Sequence, residues 1–101
     1  MERQISVTPE CVNVKVVGRM SCDDAEMLGQ ELMSFIAKGH GTYVIDMSDL
    51  TYISSAGIGV LIALNKRALR LEGSITVAGM KGHIKELFEM TMMNKLFKIT
   101  D

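Results

Sequence analysis

A strand that leads almost directly into a helix constrains this chain more than any other feature. The short, nearly continuous apolar run Thr42-Tyr43-Val44-Ile45-Asp46-Met47 is bounded by loop-forming residues and suits a central buried strand. Shortly after it, a helix is expected to begin at Ser54 or Ser55 and to run to about Leu71, ending at Gly73. The first turns of that helix are apolar almost all round, with Ile58, Val60, Leu61, Ile62 and Leu64. Lys66, Arg67 and Arg70 gather towards its C-terminus, where the helix dipole favours cations.

The flanking segments extend the pattern. Residues 3–8 alternate polar and apolar and read as a strand, Pro9-Glu10 as a turn, and Val12, Val14 and Val16 as the inward side of a second strand, so the two form a hairpin. Residues 18–24 read as a loop ending in helix-capping chemistry, with a capping box from Ser21 or Asp23 towards Asp24 or Glu26. Ala25, Leu28, Leu32, Phe35 and Ile36 then recur at helical spacing up to Gly39. Residues 74–78 are a further strand, and Ile84, Leu87 and Phe88 lie on one face of a third helix that follows Gly82. The tail at residues 95–99 pairs or packs at the end of the chain. A hairpin followed by helix–strand–helix–strand–helix implies a mixed sheet with helices mainly on one side.

At 101 residues the chain has room for one domain. A net charge of −1 offers no electrostatic footprint for nucleic acid. No apolar run approaches the roughly 20 residues of a membrane span. Cys11 and Cys22 lack metal-ligand spacing and read as ordinary thiols, and with no leader evident the expected compartment is the cytoplasm.

The chemistry concentrates in Tyr52-Ile53-Ser54-Ser55-Ala56-Gly57-Ile58-Gly59-Val60. Two hydroxyls sit at a helix N-terminus, beside unpaired backbone N–H groups and a partial positive charge. A phosphate carried there would be held by the peptide dipoles, so an exposed serine on this turn suits a reversible switch. The plainer role of either serine is helix capping.

Asp46-Met47-Ser48-Asp49-Leu50-Thr51-Tyr52-Ile53-Ser54-Ser55-Ala56-Gly57-Ile58-Gly59-Val60-Leu61 resembles the signature of the STAS family, named after sulfate transporters and anti-sigma factor antagonists. The branch it most resembles is the small bacterial antagonist. Length and element order extend the resemblance over nearly the whole chain. It implies a single STAS-like domain over residues 1–101, an α/β fold with a mixed β-sheet of four to five strands, and helices packed mainly on one side. It also implies a regulator with no catalytic activity, cofactor or metal of its own. Such a protein binds an anti-sigma factor that is an ATP-binding serine kinase, is phosphorylated by it, and is reset by a phosphatase. The family's phosphoserine falls on Ser55, with Ser54 the second-ranked acceptor. The partner-binding surface implied takes in Arg19, Met20, Ser21, Asp23 and Asp24 from the loop before the first helix. It continues through Ser54, Ser55, Ala56, Gly57, Ile58 and Gly59 and the exposed face of the second helix.

Two positions depart from the family pattern. An Asp usually precedes the phosphoserine, where this chain has Ser54. Another usually ends a Gly-Glu-Leu-Asp pattern, where this chain has Gly18-Arg19-Met20-Ser21. Both changes remove negative charge near Ser55, and Asp23 and Asp24 are the carboxylates placed to substitute. Their loss favours the alternative of a non-phosphorylated STAS scaffold, or an interaction subunit of a signalling assembly or lipid transporter.

Other motifs fall away. A third glycine of G-x-G-x-x-G would fall on Ile62, no P-loop is present, and Ser55 is not in a G-x-S-x-G elbow. His40 and His83, each beside a glycine, read as surface histidines. Asp46 is expected to end the central strand and Asp49 to satisfy turn amides. Most of the nine methionines read as core or gap fillers.

Overall fold

The computed structural model describes residues 1–100. The elements run β1 (Glu2–Val7), β2 (Val12–Met20), α1 (Cys22–Ala37), β3 (Thr42–Ile53), α2 (Ser55–Arg70), β4 (Ser74–Ala78), α3 (Gly82–Met90), a short 3₁₀ turn (Met93–Lys95) and β5 (Lys98–Thr100). The sheet has five strands in the order β1-β2-β3-β4-β5. β1 and β2 form the antiparallel hairpin, and every other neighbouring pair is parallel. The tail therefore supplies the fifth strand, alongside β4.

Alternation along the strands sorts the two faces. Val12, Val14, Val16, Tyr43, Ile45, Met47, Ile75 and Val77 are buried and share one core with Leu28 and Leu32 of α1, Leu61 and Leu64 of α2, and Ile84 and Phe88 of α3. Asn13, Lys15, Val44, Asp46, Thr76 and Ala78 point to the other face and stay half-buried or exposed. All three helices therefore cover one face of the sheet. Met20, Met47, Met80 and Met93 are core residues, whereas Met27, Met90 and Met92 are exposed.

Two strands are longer than expected. β2 continues through Arg19 to Met20, so the anticipated loop at residues 18–24 contracts to the single residue Ser21 before α1 begins at Cys22. β3 does not end at Asp46 or Met47 but continues to Ile53. The register between the two strands shifts between Lys15 and Val17 and again between Gly18 and Arg19. Such bulges break the period-2 pattern that marks a strand. Gly18 carries the second one at φ +90°, a conformation L side chains rarely adopt. Asp49 is thus a strand residue, and its carboxylate pairs with Lys15 Nζ at 3.2 Å instead of capping a turn. The amide-satisfying role belongs to Asp46, whose Oδ1 accepts from the Ser48 N–H at 2.9 Å. That bond holds the Asp46 carboxyl below its usual range.

Candidate functional site

β2 and β3 run side by side and each turns into a helix at the same edge of the sheet, so the N-termini of α1 and α2 are neighbours. Each junction is one residue long, Ser21 in one case and Ser54 in the other. At the first, Ser21 and Asp24 form a reciprocal capping box. The Ser21 N–H and hydroxyl donate to Asp24 Oδ2 at 3.1 and 2.9 Å, and the Asp24 N–H donates to Ser21 Oγ at 3.2 Å. The Ser21 N–H, followed by its hydroxyl, lowers the pKa of the Asp24 carboxyl.

At the second junction the two serines part company. Ser54 is the N-cap: its Oγ accepts from the Gly57 N–H at 3.2 Å, and only 4% of it is exposed. Ser55 is the first residue of α2, is exposed, and takes no part in the cap. The first turn of α2 holds no acidic residue, whereas that of α1 holds Asp23 and Asp24. The positive end of the α2 dipole beside Ser55 is therefore not neutralised from within its own helix.

The other residues expected at the surface divide by burial. Arg19, Ser21, Asp23, Ala56 and Gly59 are exposed, and Asp24 and Ile58 are half-buried. Met20, Ser54 and Gly57 are buried, so they shape the turn from beneath and do not line its surface. Gly57 has a packing reason that sequence reasoning does not supply. A Cβ there would lie 2.7 Å from both Ile53 Cγ1 and Met20 Sδ, so only glycine lets α2 start this close to the ends of β2 and β3. Gly59 is the opposite case, since a Cβ on it would meet nothing within 4 Å. Tyr52, which the sequence places at the start of the motif but not among the surface residues, joins the surface. It lies opposite Arg19 across the strands, with the guanidinium 4.4 Å from its ring centroid.

A shallow groove of about 480 Å³ runs from this edge between α1 and α2, floored by Gly29, Met33 and Val60 and walled by Ala56, Gly59 and Ala63. A second hollow, of about 370 Å³, lies on the uncovered sheet face near Lys15, Val44 and Asp46, away from the helix termini. Among the described residues, no three His, Cys, Asp or Glu side chains converge as metal ligands. Likewise, no helix is long and apolar enough to cross a membrane. His83 is exposed, while His40 is half-buried against Phe35 at the far end of α1.

Comparison with known proteins fits this geometry. A family model described as "Mlab, STAS domain" matches residues 4–99. BtrV of Bordetella bronchiseptica, whose ascribed role is anti-sigma factor antagonism, is 31% identical over 84 residues, which cover 83% of this chain and 72% of that protein. The Bacillus anti-sigma factor antagonist SpoIIAA has the same fold. Its unphosphorylated form superposes with a TM-score of 0.84 at 17% identity, covering 99% of this chain and 88% of that one. Its phosphorylated form gives 0.82 at 16% identity, covering 99% and 92%.

Proposed function

This chain belongs to the STAS domain family, and from that premise we propose that it is an anti-sigma factor antagonist-like, partner-switching regulator controlled by reversible phosphorylation of Ser55. The carrying observation is the division of labour at the start of α2: buried Ser54 caps the helix, which leaves the exposed Ser55 hydroxyl free for a kinase. The proposed partner is an anti-sigma factor that is an ATP-binding serine kinase, and a phosphatase resets the switch. The role ascribed to BtrV, and the existence of SpoIIAA in both phosphorylation states, support this reading.

The switch acts at the surface. A phosphoserine carries about −1.5 to −2 charges, and a helix N-terminus tolerates an anion. The fold therefore persists while a partner surface fitted to a neutral hydroxyl meets repulsion and desolvation. About 1.4 kcal/mol of such penalty is enough for a tenfold loss of affinity.

A second reading is a constitutive scaffold or interaction subunit with no phosphorylation. The absence of any carboxylate in the first turn of α2 favours it. Pull-downs from native lysate with the native protein, Ser55→Ala and Ser55→Glu as baits separate the two. Retention of an ATP-binding kinase by Ser55→Ala and its loss by Ser55→Glu is the expected result. Equal capture of the same partners by all three baits would reduce Ser55 to a helix residue and leave the scaffold reading in its place.

A further inference from the structure

The groove beside Ser55 carries a charge gradient that specifies what it can hold. Along α2 the wall residues Ala56, Gly59 and Ala63 are followed on the same face by Lys66, Arg67 and Arg70, spaced three and four residues apart. These three cations are exposed, and among the described residues none is in an ion pair. At the opposite end, Glu26 borders the groove and Asp23 stands one turn before it, both exposed. Compensation of helix dipoles accounts for part of this, but α1 has no basic residue in its last turn and Lys66 lies outside the last turn of α2.

We propose that the groove between α1 and α2 seats an amphipathic helical segment of the partner, apolar along the ridge that enters the groove and acidic where it passes Lys66, Arg67 and Arg70. On α2 the groove itself spans Ala56 to Ala63, about 10 Å at 1.5 Å per residue, and the same helix face continues to Arg70, about 21 Å or four helical turns in all. Its α2 wall of Ala56, Gly59 and Ala63 is small and admits a second helix, while Glu26, Gln30 and Met33 of α1 form the taller side. Gly59 fits this use, since an interior helical glycine is less stable than alanine and a Cβ on it would meet nothing within 4 Å inside the protein. New negative charge at Ser55 acts on the end of the occupant that reaches this turn, since Lys66 stands about 16 Å further along α2 at 1.5 Å per residue, beyond a Debye length of about 8 Å. This inference rests on the proposed function for the direction of the switch, while the seat and its charge preference stand on the groove alone.

Two fluorescein-labelled helical peptides test it. Both share one leucine–alanine ridge and are about 16 residues long, enough to reach from the groove to Arg70. One carries glutamate on its flanks and the other lysine at the same places. Anisotropy should show the glutamate peptide binding at least about tenfold more tightly, with the preference shrinking as salt rises. Amide shift changes should fall on Gly29, Ala56, Gly59 and Ala63. A Lys66→Glu/Arg67→Glu/Arg70→Glu variant, altered only at exposed positions, should lose that preference. Equal binding of both peptides, or shift changes elsewhere, overturns the proposal. So does a protein dimer that dissociates in the charge-reversed variant, since it makes a second copy the occupant. If Ser55→Glu binds the glutamate peptide as tightly as the native protein, the switch fails and the groove stands. If the peptide ignores the groove while Ser55→Glu still loses its kinase, the switch stands and the groove proposal falls.

Discussion

The Ser54 backbone N–H donates to the Met20 carbonyl at 3.0 Å, tying the start of α2 to the last residue of β2. The two strand ends and the cap of α2 are therefore one mechanical unit, and the adjacent Ser55 stands outside it.

Substitutions at the two serines should differ accordingly. Ser54→Ala removes a buried cap and should cost about 1 kcal/mol, with Ser54→Asp recovering most of it. Ser55→Ala should stay within about 0.5 kcal/mol of the native protein, as exposed positions outside a cap do. Urea denaturation of the three variants checks this. Equal losses at Ser54 and Ser55 would contradict the assignment of the cap.

The two glycines of the turn should respond with opposite signs. Gly57→Ala forces a methyl group against Ile53 and Met20, and overpacking of this kind costs about 1–3 kcal/mol. Gly59→Ala enters open space in a helix and should stabilise by about 0.5–1 kcal/mol. Denaturation midpoints of the two variants decide the matter.

Acid should weaken the cap of α1. The folded pKa of Asp24 is depressed by its hydrogen bonds from Ser21. Its contribution is therefore complete above the ordinary aspartate value of about 3.9 and disappears as pH falls through the lower folded value. The stability difference between the native protein and Asp24→Asn should stay constant near neutral pH and close only in that acid range. A difference that closed on raising the pH would reverse the assignment.

Phosphorylation of Ser55 should separate stability from binding. A dianion at the α2 N-terminus should leave thermal unfolding within about 1 kcal/mol of the unmodified protein, or raise it slightly. Affinity for the partner should fall by at least about tenfold. Calorimetry of both forms, with and without the partner, measures the two effects on one sample. Loss of the fold on phosphorylation would rule out a surface switch.

The helices and the hairpin are legible in the sequence because their apolar spacing is regular and their ends carry recognisable caps. Ser21 with Asp24, and Ser54 with Gly57, adopt geometries within the alternatives their sequences allow. The full length of β2 and β3 is not legible, and the bulges are the cause. Past Met47 the buried residues of β3 are Leu50 and Ile53, three apart instead of two, and Asp46, Ser48 and Asp49 between the strand halves look like a turn. Burial of Gly57 is also beyond sequence reasoning, since it depends on Met20, far away in the chain but directly beneath it. Whether a glycine serves packing or openness is a three-dimensional property, and Gly57 and Gly59 differ in it while looking alike in sequence.

The single-residue junctions at Ser21 and Ser54 carry a kinetic consequence. Neither has slack to fold over a bound molecule, and both are held by hydrogen bonds at each end. A partner therefore docks onto a shape already set, with little ordering cost on this side of the complex. Discrimination falls to what changes on that rigid edge, and a modification at one oxygen atom can alter how long a complex lives without any rearrangement of the chain beneath it.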